Sequence, residues 1–160
     1  IELMRKLNKP FDYDHGLKIT KYLNKINVKT QACFIAGTPP EKNFDRKESI
    51  TYMKKLVRNG IDEIAVFIYS PIPGSYFADE IGGFTHYSEL SRSPTWRKDY
   101  REINNYRIKM YILFFCYKII FHPIKIIQNI YSILSKNFKT KMEMSIYKYF
   151  KLRLLYFFNK

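Results

Sequence analysis

The 160 residues, 46% of them hydrophobic, suffice for one domain with a real core, which excludes a disordered chain or a disulfide-stapled miniature. The formal charge of +14 invites nucleic acid or an anionic surface as partner, but residues 1–102 hold 17 basic and 13 acidic side chains, whereas 103–160 hold 11 basic and only Glu143. The basic character therefore belongs to the tail, and the surplus of lysine over arginine is also what an A/T-rich genome imposes.

In chain order, residues 1–9 carry Leu3, Met4 and Leu7 at helical spacing and stop at Pro10. The first methionine lies inside this helix, so the chain is expected to be the C-terminal piece of a longer polypeptide. Asp12 or Asp14 caps a second helix reaching about Ile26, with Leu17, Tyr22, Leu23 and Ile26 inward. From Val28 to Ala36 an alternation becomes a continuous apolar run, the pattern of a buried parallel strand.

The loop Gly37-Thr38-Pro39-Pro40 leads to Asp45 and Glu48, a capping-box spacing that starts a helix with Ile50, Met53, Leu56 and Val57 inward. Gly60 ends it in the left-handed region. A second strand, Glu63 to Tyr69, runs into Ser70-Pro71-Ile72-Pro73-Gly74. Helix, strand, helix, strand is the order of a parallel sheet, and two strands alone cannot cover both of its faces, so further strands are expected upstream.

Beyond residue 80 the character changes. Ser93 and Pro94 are the expected cap and first turn of a long helix through Trp96, Tyr100, Ile103 and Met110 to about Phe121. Pro123 starts another, with Ile124, Ile127, Ile130, Tyr131 and Leu134 on one side. The stretch Met110–Leu134 is too interrupted for a bilayer span: Lys118 and Lys125 break it, and His122-Pro123 ends the helix midway. Phe138 to Lys160 reads as a weak helix or docked tail.

Ligands of parallel α/β proteins gather at the C-terminal ends of strands, where both unusual loops lie. Those loops carry a resemblance. The run Cys33-Phe34-Ile35-Ala36-Gly37-Thr38-Pro39-Pro40-Glu41, with Asp45 and Thr51, then Phe67-Ile68-Tyr69-Ser70-Pro71-Ile72-Pro73-Gly74-Ser75, resembles the closing part of radical S-adenosylmethionine (SAM) enzymes. It is most similar to the cobalamin-binding, anaerobic Mg-protoporphyrin cyclase-like group. Pro40 and Lys42 stand where that family's pattern has Gly and Thr. Ser93-Pro94-Thr95-Trp96-Arg97-Lys98-Asp99-Tyr100 and His122-Pro123 look like the C-terminal extension of some members.

The resemblance implies an α/β fold: the last two βα units of a partial TIM-type (β/α)6 barrel in residues 1–80, and a mainly helical extension in 81–160. It implies S-adenosylmethionine and a [4Fe-4S] cluster as cofactors, cobalamin in the whole enzyme, and methyl transfer or carbon-skeleton chemistry on an unassigned small molecule. Ile35 would offer an apolar surface to adenine, Gly37 and Pro39 would shape the wall, and Tyr69, Ser70 and Pro71 would supply backbone or hydroxyl contacts. Glu41 would hold the loop.

Two cysteines 83 residues apart cannot supply three ligands to one cluster, so no catalytic or metal residue is assigned and the upstream part of the same polypeptide is the expected partner. His15, His86 and His122 have no ligand spacing. Cys33 reads as strand packing, and Asp62 and Glu63 sit at the end opposite the expected site. Cysteine usage fits a reducing, cytoplasmic setting. The competing expectation is a non-enzymatic membrane-surface or interaction module built on the basic aromatic tail, with nucleic acid less favoured because no binding module accompanies the charge. Between these, packing of Trp96, Tyr100, Phe114, Ile124 and Ile127 back onto the sheet is preferred for the tail.

Overall fold

The computed structural model describes residues 2–9, 11–72, 74, 77–81 and 94–158. Pro10, Pro73, Ser75, His86 and Ser93, to which the sequence assigns turns, a cap or a loop, lie outside them. After a short helix α1 (Glu2–Lys6), α2 (Tyr13–Lys25) is capped by Asp12, whose carboxylate accepts the His15 N–H at 2.9 Å. Leu17 and Leu23 are half-buried as expected, but Tyr22 and Ile26 are exposed and Thr20 is the buried position. Asn27, with φ 62°, turns the chain toward β1 (Gln31–Ala36).

Helix α3 (Asn43–Arg58) starts two residues before Asp45. Asp45 is not its cap; its carboxylate reaches back to accept the Lys42 N–H at 2.8 Å. Met53, Leu56 and Val57 are buried, and Gly60 (φ 90°) closes the helix against Asn24, leaving no room for a Cβ. Strand β2 (Glu63–Ile68) then pairs parallel to β1 in the register Gln31↔Glu63 to Ala36↔Ile68.

One face of this sheet is covered. Ile64, Val66, Ile68 and Ala36 pack on Met53, Leu56 and Val57 of α3 and on Ile103, Met110 and Phe114 of α5 (Tyr100–Phe121). Each large side chain so buried contributes about 1.5–3 kcal/mol over its exposed state. On the other face Ile35 is 47% and Phe67 56% exposed, and Cys33 is exposed beside them. Cys33 is thus not a packing residue, and β1 is not buried on both sides as its apolar run suggests.

The outer edge of β2 is sealed by α5, since the Tyr111 hydroxyl accepts the outward N–H of Val66 at 3.1 Å. Among the described residues nothing pairs with the outer edge of β1. The expectation of two closing βα units of a TIM-type barrel is overturned: the chain is a mostly helical, small α/β domain around a two-stranded parallel sheet. Apolar patterning reports how strands pair and which face is covered. It is silent on how many strands there are, and here helices occupy the β2 side.

The turn Pro94–Asp99 precedes α5, which begins at Tyr100 rather than at the expected Pro94. A four-residue helix, α4 (Ala78–Ile81), lies between β2 and this turn in sequence. At His122 the chain bends by 115° into α6 (Pro123–Leu134), with Pro123 at its first position. Among the described residues no single helix is long and apolar enough to cross a membrane; α5 and α6 together are, but for the bend. The tail forms a true helix, α7 (Lys141–Phe158), whose start Glu143 caps by accepting the N–H of Lys139 at 2.7 Å and of Thr140 at 3.3 Å.

A polar cluster at the N-terminal ends of the strands fastens these helices. Asp62 accepts Lys29 at 3.2 Å, the Thr30 N–H at 3.1 Å and Lys125 at 3.0 Å. Lys125 also donates to the Gly60 carbonyl and to Asn24, and the buried Lys118 donates to the Asp62 carbonyl at 2.6 Å. Glu63 accepts the Met142 N–H of α7 at 2.8 Å. Burial pushes the Asp62 carboxyl up, but Lys125, the Thr30 N–H and Lys29 outweigh it and hold it below 3.8.

Candidate cofactor rim at the strand ends

Beyond Ala36 and Ile68 the two loops are joined directly: the Tyr69 N–H donates to the Ala36 carbonyl at 2.8 Å. Gly37 has φ 80° and is buried under Ile103, whose side chain a Cβ at that position would strike. Only glycine meets both demands. The Gly37 N–H donates to the Glu41 carboxylate, and the Glu41 N–H to the Thr38 carbonyl at 2.9 Å, so Glu41 closes the loop on itself.

Glu41 is nearly buried beside Arg46, at 3.4 Å, and Arg46 in turn pairs with Glu102 of α5 and lies over the Tyr106 ring. Burial pushes the Glu41 carboxyl up by more than the Gly37 N–H and Arg46 pull it down. The other wall is Arg97, with its side chain buried. It donates to the Tyr69 carbonyl at 2.7 Å and grips Asp99 with two bonds of 2.8 and 2.6 Å. Hydrogen bonds from Arg97 hold the Asp99 carboxyl below its usual value.

Gly37, Thr38, Pro39, Glu41, Arg46, Arg97 and Asp99 line a cleft of about 360 Å³ between these loops. Two hydroxyls in this region, Thr38 Oγ1 and Ser70 Oγ, are buried without a hydrogen-bond partner. Leaving such groups unpaired costs on the order of 1–3 kcal/mol each, and an orphaned polar atom of that kind calls for a physical reason.

Of the residues expected on the rim, Gly37 and Pro39 line the cleft. Tyr69 is half-buried, its carbonyl engaged by Arg97 and its ring edge-on to Phe77 at 6.4 Å. Ser70 carries one of the orphan hydroxyls, and Pro71 is buried. Ile35 does not join them in the cleft; it stands on the open sheet face beside Phe67. Arg46, Thr38 and Asp99 were not foreseen here, nor was the role of Arg97. An Arg-Lys-Asp triplet after a proline is the sole trace in the sequence, and charge alone could not separate it from 26 other basic residues.

These residues do not fit an iron–sulfur cluster. Cys33 and Cys116 are both free and exposed, on the sheet face and on α5, and no three His, Cys, Asp or Glu side chains converge among the described residues. His15 begins α2, and His122 forms the helix break with its Nε2 at 2.8 Å from the Val57 carbonyl. Thr38, on the cleft wall, and Ile35, on the open sheet face, do not share one surface, and Ser70 does not line the cleft.

No protein-family model matches the chain, and no solved structure does. Two archaeal proteins are similar to it over about half its length. The uncharacterized protein MJ1620 of Methanocaldococcus jannaschii is 37% identical over 86 residues, which is 54% of this chain and 17% of that protein. The uncharacterized protein MK0932 of Methanopyrus kandleri is 30% identical over 77 residues, 48% of this chain and 15% of that protein. The matched segment is therefore a small part of relatives several times longer.

Proposed function

We propose that the chain is part of a radical S-adenosylmethionine enzyme and contributes a rim that holds the adenosyl portion of the cofactor. The observation that carries this reading is the pair of buried, unpartnered hydroxyls of Thr38 and Ser70 at adjacent strand ends. Thr38 lines the cleft, where a ligand offering ribose or adenine heteroatoms would approach it, and Ser70 lies on the neighbouring loop. Ile35 and Phe67 add an apolar platform on the open sheet face, suited to a base. Arg97, by gripping Tyr69 and Asp99, keeps the second loop in place.

The polypeptide beyond this segment would have to provide the cluster ligands, since the two cysteines here cannot. S-adenosylmethionine, when bound with such a cluster, supplies the radical chemistry; the role of this chain is to bind and orient. No described residue favours cobalamin.

The test is amide chemical-shift mapping of the 160-residue chain titrated with S-adenosylmethionine. Shifts confined to residues 35–39 and 69–72 are expected, and Thr38→Ala or Ser70→Ala should weaken binding about five- to tenfold, as loss of one hydrogen bond does. Saturating ligand without shifts at those residues would falsify the assignment. In the longer polypeptide, anaerobic purification without iron and acid-labile sulfide would remove the radical chemistry from the reading.

A further inference from the structure

Helix α6 is inside-out. Its one lysine, Lys125, points inward to Asp62, Gly60 and Asn24, its Ser132 is buried, and its capping His122 is bonded to Val57. Four of its apolar residues face out instead: Ile124, Ile127, Tyr131 and Leu134, at i, i+3, i+7 and i+10, are 65–77% exposed, while Ile126 and Ile133 are half-buried; Ile119 and Ile120 at the end of α5 are exposed as well. Of these, Ile124 and Ile127 are residues the sequence expects to pack back on the sheet. Ile124 and Ile127 remain outside while Phe114 of α5 is fully buried, so the tail divides into a packed half and an apolar outer face.

The exposed charge of the tail has one sign. From residue 103 on, Glu143 is the single carboxylate side chain, and it is buried as the α7 cap. Lys136, Lys139, Lys141, Lys148, Lys151 and Arg153 are all exposed. A cleft of about 830 Å³ at the α6–α7 turn joins the two characters, lined by Ile127 and Tyr131 together with Lys139.

We propose that α6 and the start of α7 form a docking surface for an anionic lipid bilayer. An apolar stripe with exposed lysines beside it, and no exposed carboxylate side chain on α6 or α7, matches acyl chains beneath acidic headgroups. At 12 residues the helix is about 18 Å long, too short to cross a hydrocarbon core of about 30 Å, so it lies in the plane of the interface. A second copy of the chain is disfavoured as occupant, because a twofold contact would press two such lysine sets together. Nucleic acid would satisfy the lysines and leave the isoleucines unused.

The experiment is cosedimentation of the whole 160-residue chain with vesicles of pure phosphatidylcholine and of phosphatidylcholine mixed with phosphatidylglycerol. Binding to the mixed vesicles, weak binding to the neutral ones and release by high salt are expected. Ile127→Asp with Leu134→Asp should weaken partitioning at least about tenfold, and Lys136→Glu with Lys139→Glu should abolish the preference for acidic lipid. All four side chains are exposed, so unchanged circular dichroism and melting temperature accompany these losses. Equal binding to neutral vesicles overturns the proposal. So does concentration-dependent dimerisation that Leu134→Asp removes in a chain that ignores vesicles, or salt-sensitive DNA binding with no vesicle binding.

Discussion

At Gly37 the backbone sign and the overhead Ile103 forbid any side chain. Gly37→Ala should lower unfolding free energy by about 1–3 kcal/mol in urea titrations, the range for a strained left-handed position. Lys118 makes a second residue-scale prediction. Burial drives its ammonium down to about 8, against the opposing pull of Asp62 and Glu143 and with the help of Lys125 and Lys29. The unfolded chain therefore holds a proton there that the folded chain releases, so stability should climb as pH rises from about 8 toward 10.5. Lys118→Met removes that slope; a melting temperature with the same pH dependence in variant and parent would contradict it. Glycine at a strand end was legible in the sequence because its positive φ is a local requirement, whereas the overhead Ile103 was not legible. The orphan hydroxyls of Thr38 and Ser70, and the grip of Arg97 on Tyr69, were not, because each depends on two loops meeting across more than 25 residues.

Among elements, β2 owes its sealed edge to one hydroxyl. Tyr111→Phe leaves the Val66 N–H without its acceptor and should cost about 1–3 kcal/mol, with faster hydrogen exchange at the Val66 amide as the direct readout. The helix–strand order and the parallel pairing followed from periodicity, since α3 and β2 carry apolar residues on one consistent side. Helix starts were less readable. Pro94 suits a first turn by itself, but Arg97 fixes the following residues in turns and delays α5 to Tyr100. For α6 the periodicity was right and the direction wrong: the apolar stripe exists, but Lys125 finds three acceptors inside and turns the stripe outward.

For the molecule as a whole, Asp62 joins the residue before β1, α5 and α6 through Thr30, Lys118 and Lys125, with Lys125 extending the link to Asn24 of α2. Asp62→Ala strands buried lysine charge and should cost about 3–5 kcal/mol, loosening α6 first in protease digests. Its depressed carboxyl gives the sign in acid: the stabilisation is present above pH 3.8 and is lost as pH falls through the lower folded value. The number of strands was the feature least legible in the sequence, because edges are sealed by side chains such as Tyr111 rather than by pattern. That sealing also limits self-association. Among the described residues the sheet has one bare edge, so two copies meeting β1 to β1 would pair both bare edges and leave the Tyr111 side of each outward. Pairing through the described sheet would then stop at two copies rather than extend into a filament.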